Sequence, residues 1–374
     1  MTASPLAALP GAVAAEGLDE GVAGHYGNPS VEQRRLERGE AIVDLSHRGV
    51  VTVTGPDRLS WLHSMASQAL DRLAPGESVE TLFLDGNGHV EHAVHLVDDG
   101  ETSWLVVEGS EAEPLSAWLD RMRFMLRVEV ADRSADFAVV GGFGDALAAV
   151  PAGAAPDWND PWAALQPGGH QYAREAGHPA SAWNWTERIV PRAALAEIAD
   201  AARAGRLHVA GSLAIEALRI AAWRPRLTAD ADEKTVPHEL DWLRSAVHLG
   251  KGCYRGQETV AKVLNLGRPP RRLVMLHLDG SDTILPRPGD PVIAVKVREG
   301  EEAERRTVGR ITTSGMHHEL GPIALAVVKR AVPAELELIV ESHGSDVAAA
   351  QVEIVPADAG AAVDVPRLPR LGAR

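Results

Sequence analysis

The pattern of the chain changes at Gly267, and this change constrains the fold more than any other feature. From Arg271 onward, nearly every segment is short, apolar and strand-like, and glycine, proline and aspartate separate the segments. Such spacing is typical of a small β-barrel or sandwich. The sequence therefore predicts an all-β domain over residues 267–356, followed by a flexible tail over 357–374. The predicted strands are 273–278, 291–297, 308–313, 323–328, 336–340 and 347–355.

Helices and strands are interspersed before residue 267. An apolar strand near Val50 leads through a turn into a helix with Leu59, Leu62, Ala66 and Leu70 on one face. Three apolar or alternating runs follow, separated by the turn sequences DGNG and DDGE, so they predict an antiparallel meander. This mixture predicts an α+β fold. A length of 374 residues predicts more than one domain, because single cores rarely grow past roughly 250–300 residues.

Charge and cysteine content disfavour several functions. Lys and Arg total 37 against 52 Asp and Glu, and the resulting net charge of −15 disfavours stable binding to nucleic acid. With Cys253 as its one cysteine, the chain can form no intrachain disulfide and no cysteine-rich metal cage, which fits a reducing compartment. We predict a cytoplasmic protein with a flexible segment over residues 1–35, no signal peptide and no membrane anchor.

A lone thiol lies between two glycines and two cations in the segment KGCYRGQE, residues 251–258. Positive charge at Lys251 and Arg255 would favour the thiolate, and Gly252 and Gly256 would let a ligand approach the backbone closely. Both are requirements of a reactive or ligand-facing cysteine. A structural role for Cys253 is an equally consistent interpretation, because free cysteines are usually small buried apolar groups.

The segment KGCYRGQE resembles the hallmark of the YgfZ-type folate-binding family, a branch of the glycine-cleavage T-protein superfamily. DLSHRG at 44–49, LRI at 218–220 and TVPHE at 235–239 are similar to further motifs of this superfamily, in the same order. The resemblance covers roughly residues 40–356. It implies a three-lobed architecture, in which two α+β lobes over residues 36–266 surround a central folate cavity and a β-barrel follows.

The resemblance also implies that tetrahydrofolate or a derivative binds in this cavity. Cys253 becomes the candidate catalytic residue. The cations Arg219, Lys251 and Arg255 are expected near carboxylates of the ligand, although an intramolecular ion pair is an equal alternative for Arg219. The full set of predicted cofactor-binding residues is Arg219, Lys251, Tyr254, Arg255, Gln257 and Glu258.

Two positions depart from the superfamily pattern. Glycine-cleavage T-proteins carry a paired aspartate in the second meander strand, where this chain has His92 and Ala93. The carboxylate expected to hold the reacting folate nitrogen is thus absent. In the family's LRIEAG pattern, the glutamate expected to bind the pterin amide and amine is replaced by Ala221, and Glu216 or Glu258 are the neighbouring acids that could substitute for it.

Two classes of function remain open at this stage. The first is an accessory protein that uses folate binding and Cys253 to support assembly or repair of iron–sulfur enzymes, including tRNA-methylthiolating ones. The second is a folate-dependent transferase of an aminomethyl or other one-carbon group on an unknown amine. Loss of the aspartate pair favours the first class.

Other motifs have simpler interpretations. Strand alternation puts His92 on the opposite face from His89 and His95, which lie about 20 Å apart, so no metal site is predicted. GGFG at 141–144 lacks the third glycine and the acidic partner of a dinucleotide loop, which indicates a turn at a strand end. The tryptophans in and just after the loop 150–181 either wall a pocket or pack under the loop: Trp158, Trp162, Trp183 and Trp185.

Overall fold

The computed structural model describes residues 3–174, 176–281, 284–296 and 304–362. In these ranges the chain forms a two-stranded sheet, two five-stranded sheets and a closed six-stranded barrel. This is the α+β architecture with a C-terminal barrel that the sequence predicts. A search of the same ranges for a helix long and apolar enough to cross a membrane finds none.

The part of the chain before the barrel contains twelve strands and seven α-helices within the described ranges. The strands are β1 (Val13–Ala14), β2 (Ala23–His25), β3 (Ala41–Asp44), β4 (Gly49–Thr54), β5 (Ser78–Leu84), β6 (Val90–Asp98), β7 (Thr102–Val107), β8 (Glu129–Asp132), β9 (Phe137–Phe143), β10 (Trp158–Asn159), β11 (Trp185–Pro191) and β12 (His208–Ala210). The helices are α1 (Pro29–Glu37), α2 (Arg58–Met65), α3 (Ala112–Met122), α4 (Ala194–Arg203), α5 (Ser212–Ala221), α6 (Leu227–Asp230) and α7 (Gln257–Asn265).

The two five-stranded sheets form the two lobes. The first has the strand order β10-β11-β9-β3-β12, and β12 pairs with β3 in parallel. The second has the order β5-β6-β7-β4-β8 and is antiparallel throughout, so the predicted meander is present as β5, β6 and β7. Its strands are buried on both faces: Val51 and Val53 pack against α2 and α3, whereas Val50 points into the main core.

The barrel consists of six antiparallel strands, and β13 closes it by pairing with two neighbours. Its interior is filled by alternate residues, such as Val274 and Leu276, while Leu273 and Met275 face the main core of the lobes. Helix α5 packs on β15 and β16 and joins the barrel to the rest of the chain. The strands are β13 (Arg271–Leu278), β14 (Pro291–Lys296), β15 (Glu304–His317), β16 (Gly321–Lys329), β17 (Leu338–Ser342) and β18 (Ser345–Glu353).

Residues 3–35 are folded, whereas the sequence predicts a flexible segment over residues 1–35. Leu6 is fully buried in the core beneath α4. The side chain of Asn28 caps α1 by accepting from the backbone N–H of Val31. One carboxylate, Glu32, accepts from the backbone N–H groups of Tyr26 and Gly211, and so connects α1 to the start of α5. Burial and capping together fix this segment.

The helix predicted to carry Leu59 to Leu70 on one face is shorter than expected, because α2 ends at Met65. Ala66 is already extended and forms a bridge with Phe83 of β5. Leu70 is still fully buried in the same core as Leu62, but it reaches that core from the irregular segment after the helix. A burial pattern shared by the helix and this segment explains the difference.

The predicted tail over residues 357–374 falls mostly outside the described residues, which end at Ala362. Up to that point the chain is attached, because the backbone N–H of Ala362 donates to the carbonyl of Leu264 in α7.

Candidate functional site

A cavity of 60 Å³ lies between the two lobes and α5. Residues from β5, β6, β7, β11 and α5, together with the segment 224–227, form its wall. The wall carries four arginines, which are Arg48, Arg219, Arg224 and Arg226. It also carries five carboxylates, which are Glu80, Glu108, Asp160, Glu187 and Glu216. So dense a set of buried charges is stable only when the charges pair with one another.

Arg224 joins the two lobes across one side of the cavity. Its guanidinium donates to Glu80 of β5 at 2.6 Å and to Asp160, after β10, at 2.9 Å. Glu80 also accepts from Trp242 and Ser245, so both of its oxygens have hydrogen-bond partners. Burial acts to lower the pKa of Arg224, but the two carboxylates outweigh it and the net shift is upward.

Arg226 anchors the opposite side. It donates two parallel hydrogen bonds to Glu108, at 2.8 and 2.7 Å, and further bonds to Asp19 and Glu216. Burial acts to raise the pKa of Glu108, yet the charge of Arg226 brings that pKa down to about 2. Glu108 is therefore ionised at neutral pH.

Arg219 lines the cavity, but its donors are engaged elsewhere. Its guanidinium donates to Glu216 on the preceding turn of α5, to the buried carboxylate of Asp230 and to the hydroxyl of Thr313 in β15. Of the two alternatives that the sequence left open for Arg219, the structure contains the intramolecular ion pair.

Glu187 of β11 stands at the centre of a third group. It accepts from Arg48 at 2.9 Å, from His95 at 2.9 Å and from the indole of Trp185 at 3.2 Å. The ring of His95 stacks on Trp158, with centroids 3.8 Å apart. Burial acts to raise the pKa of Glu187, but His95 and Arg48 lower it to about 2.

Two of the four tryptophans singled out in the sequence, Trp183 and Trp185, line the cavity, and all four are buried in the main core. Packing under the loop therefore applies to all four tryptophans, and a place in the pocket wall applies to Trp183 and Trp185. Trp185 lies so close to β9 that a Cβ atom at Gly141 would overlap its ring. Gly141 and Gly142 thus belong to the end of a strand, and Gly141 leaves room for an indole.

The segment KGCYRGQE lies at the surface outside this cavity. Cys253 is exposed. The Lys251 ammonium donates to the backbone carbonyls of His63 in α2 and of Ala66 and Gln68 just beyond it, so its three N–H groups are all used. Burial lowers the pKa of Lys251 to about 8.

The remaining predicted residues of this segment have separate roles. Tyr254 is buried, with its ring centroid 5.1 Å from the Lys251 ammonium. Arg255 forms an exposed ion pair with Glu91. Gln257 donates to the Lys251 carbonyl, and Glu258 is exposed in the first turn of α7. Of the predicted cofactor-binding residues, the structure brings Arg219 alone to the wall of the cavity.

The positions that depart from the superfamily pattern can now be located. Ala93 lines the cavity, whereas His92 points to the other face of β6 and pairs with Glu111. Ala221 packs against the main core. Of the two acids that could replace a glutamate at 221, Glu216 lines the cavity but is bound to Arg219 and Arg226, and Glu258 does not reach the cavity.

The chemistry of the wall fits a pterin ring, because carboxylates, guanidinium groups and indoles complement ring N–H groups, a ring carbonyl and a planar π-face. The volume of 60 Å³ is much smaller than the roughly 300–1,000 Å³ of typical ligand sites. A pterin can therefore enter only if the wall moves.

Sequence reasoning missed Arg48, Glu187, Glu108, Arg224 and Arg226. Arg48 lies within the DLSHRG motif, and the two later arginines flank Pro225 directly after α5, so motif position was an available signal for three of them. Glu108 directly follows β7 and Glu187 lies in β11, and no local sequence pattern marks either residue.

Comparison with known proteins identifies the fold. Residues 26–149 match the GCVT N-terminal domain, and residues 271–358 match the glycine cleavage T-protein C-terminal barrel domain. A protein of Arabidopsis thaliana described as a "putative transferase, chloroplastic" is 24% identical over 83% of this chain and 70% of its own length. The aminomethyltransferase of Moorella thermoacetica is 26% identical over 81% of this chain and 82% of its own.

A solved structure gives the same result. The crystal structure of glycine cleavage system aminomethyltransferase T from Bartonella henselae superposes with a TM-score of 0.70 at 19% identity, covering 93% of this chain and 94% of that chain. The two domain matches and the shared fold agree in order and extent. The chain therefore belongs to the aminomethyltransferase-like superfamily and carries both the GCVT N-terminal domain and the T-protein C-terminal barrel domain.

Proposed function

We propose that this chain is a tetrahydrofolate-binding accessory protein of the cytoplasm that supports assembly or repair of iron–sulfur enzymes, including those that methylthiolate tRNA. One observation carries the proposal: the five carboxylates of the cavity wall are all paired with arginine or histidine, and Ala93 stands at the wall where the superfamily pattern has an aspartate.

Paired carboxylates are poor general bases. A catalytic base works best when its pKa lies near the working pH, whereas the pKa values of Glu108 and Glu187 are about 2. The same groups are well suited to holding a polar ligand in place. The cavity therefore supports binding better than proton transfer.

The resemblance of KGCYRGQE to the YgfZ-type hallmark supports the link to iron–sulfur enzymes. Cys253 is exposed, so a partner protein or a reactive small molecule can reach the thiol. Because the cavity wall and Cys253 are separate, the proposal assigns folate binding to the first and the contact with a partner to the second.

Genetic rescue tests this proposal. Cys253→Ser is expected to change the free energy of unfolding by less than about 0.5 kcal/mol, since the side chain is exposed, but to abolish rescue of a strain that lacks its own family member. The activity of a tRNA-methylthiolating enzyme is the readout. Arg203→Gln, which alters an exposed ion pair on α4 outside the KGCYRGQE segment, is the control and should still rescue. Full rescue by Cys253→Ser would refute the role of the thiol.

The second candidate, a folate-dependent one-carbon transferase, is favoured by the aminomethyltransferases among the relatives. Transfer from an aminomethylated carrier protein to tetrahydrofolate distinguishes the two. The accessory-protein proposal predicts no turnover, while turnover at the 1–10³ s⁻¹ that is roughly typical of enzymes would establish the transferase instead.

A further inference from the structure

Four large apolar side chains are exposed together where α3 ends. Met125 is 98% exposed and Phe124 is 80% exposed, and Met122 and Leu126 accompany them at 37% and 41%. An exposed apolar patch that polar groups surround typically marks an interaction site. We call Met122, Phe124, Met125 and Leu126 the apolar tip.

The backbone of the apolar tip is held in one conformation. Phe124 has a φ of 46°, a left-handed conformation that is uncommon for an aromatic residue. The backbone N–H of Leu126 donates to the carbonyl of Arg123, and the Arg123 guanidinium donates to the carbonyl of Val128. Strained conformations persist only where the surrounding structure holds them. A fixed tip loses little conformational entropy when it binds, so its side chains are already arranged for a partner.

One short helix connects the apolar tip to the KGCYRGQE segment. Arg127, directly after the tip, donates three hydrogen bonds to the carboxylate of Asp57, the residue before α2. In the last turn of α2, the carbonyl of His63 accepts from the Lys251 ammonium. A helix of eight residues is about 12 Å long. The attachment points of the apolar tip and of the segment that carries Cys253 therefore lie at the two ends of one helix.

The outer face of α2 is suited to burial under a partner. Its exposed residues are Ser60 and Ser64, and both are uncharged. Their hydroxyls already donate to backbone carbonyls, those of Asp57 and Trp61. Covering this face leaves neither hydroxyl donor unpaired, so the loss of water costs little. Charged side chains are depleted in the cores of interfaces, and this face meets that condition.

The rim of the apolar tip indicates the charge of the partner. Residues 121–127 contain three arginines and no acidic residue, in a chain whose net charge is −15. Arg121 and Arg127 are exposed. Such a rim complements carboxylates on a partner protein. An anionic membrane is a weaker fit, because its surface repels the negative charge of the rest of the chain.

We propose that the apolar tip, the outer face of α2 and Cys253 form one docking surface for a partner protein, whose apolar cleft, rimmed by carboxylates, receives Phe124 and Met125. The inference rests on the proposed function, because the partner is the iron–sulfur enzyme that Cys253 is assigned to contact. A standard interface covers about 800 Å² on each partner, a patch roughly 30 Å across. One partner can therefore cover both ends of α2, so that the tip holds it in place while the thiol is presented to it.

Binding to the purified tRNA-methylthiolating enzyme, together with rescue of its activity, provides the test. Phe124→Asn combined with Met125→Gln removes the apolar contact and keeps the fold, because both side chains are exposed and Asn accepts a left-handed backbone. This double variant should bind the enzyme at least about tenfold more weakly than the parent and should lose rescue. Its melting temperature and its binding of 5-formyltetrahydrofolate should stay unchanged. Arg121→Glu should also weaken enzyme binding, and this loss should shrink as the salt concentration rises.

Leu18→Gln combined with Leu320→Gln is the matched control. It removes two exposed apolar side chains elsewhere, one before β2 and one between β15 and β16, and should bind and rescue like the parent. If the double variant of the tip bound and rescued like the parent, the inference would be overturned and the proposed function would stand. Loss of its binding to phosphatidylglycerol vesicles, with enzyme binding kept, would make the tip a membrane contact instead. Failure of the parent itself to rescue methylthiolation would remove the proposed function and this partner with it.

Discussion

Asp241 is the buried acid with the clearest pH-dependent role outside the cavity. It is fully buried and accepts from the backbone N–H groups of Tyr172 and Ala173, holding the loop before β11 against the TVPHE segment. Burial raises the pKa of Asp241 to about 7, although the two backbone bonds and Arg244 act in the opposite direction. Its backbone has a φ of 56°, a left-handed conformation that Asn tolerates as well as Asp.

We predict that Asp241→Asn stabilises the protein above neutral pH. The ordinary pKa of 3.8 applies to the unfolded chain, so between pH 4 and pH 7 the folded state keeps a proton that the unfolded state has lost. Stability then falls as pH rises through this window, by up to about 1.4 kcal/mol per pH unit. Asn removes this loss and keeps an acceptor for Tyr172.

Urea denaturation at pH 4.5 and pH 8 measures the effect. The advantage of Asp241→Asn over the parent should be small at the lower pH and larger at the higher one. Asp200→Asn, at an exposed ion pair on α4, should show no such change. An advantage of equal size at the two pH values would show that the Asp241 carboxyl ionises normally.

At the scale of elements, the KGCYRGQE segment and the turn between β5 and β6 pack backbone against backbone. Gly256 has a φ of 81°, and a Cβ there would lie 2.7 Å from the carbonyl oxygen of Asp85 and 2.9 Å from the Cα of Gly88. Gly88 in turn touches Thr259 of α7. Two glycines therefore set how closely α7 approaches the meander.

Replacing Gly256 tests this contact. Gly256→Ala should lower the free energy of unfolding by about 1–3 kcal/mol, because the new methyl group meets rigid backbone and the residue must adopt a positive φ. Gly252→Ala is the control within the same segment, since a Cβ there meets nothing within 4 Å, and it should change stability by less than about 0.5 kcal/mol. Equal effects in chemical denaturation would contradict this account.

Local pattern predicted many elements but few side-chain roles. Alternation and turn residues located β5 to β7 and the barrel strands, because strand and turn preferences depend on near neighbours. The role of Lys251 depends on carbonyls 183 to 188 residues away, and that of Arg48 on a carboxylate 139 residues away. Such pairs form only in the folded chain, so the motif could mark Lys251 as unusual without showing that it binds backbone.

At the scale of the whole molecule, one buried carboxylate connects the barrel to the lobes. Asp230, at the end of α6, is fully buried and accepts from Arg219 of α5 and from the hydroxyls of Thr312 and Thr313 in β15. It also accepts from the backbone N–H of Arg226, which lines the cavity. The attachment of the barrel and the geometry of the cavity wall therefore depend on the same residue.

We predict that Asp230→Asn destabilises the protein by about 3–5 kcal/mol, because Arg219 loses a buried anionic partner. The effect should fall on the junction, so that calorimetry resolves separate melting of the barrel and the lobes in place of one cooperative transition. Asp346→Asn, at an exposed ion pair with Arg305 on the barrel surface, is the control and should leave the profile unchanged. If Asp230→Asn melted in one transition at the parent's temperature, the apolar contacts of α5 with the barrel would suffice to hold the two parts together.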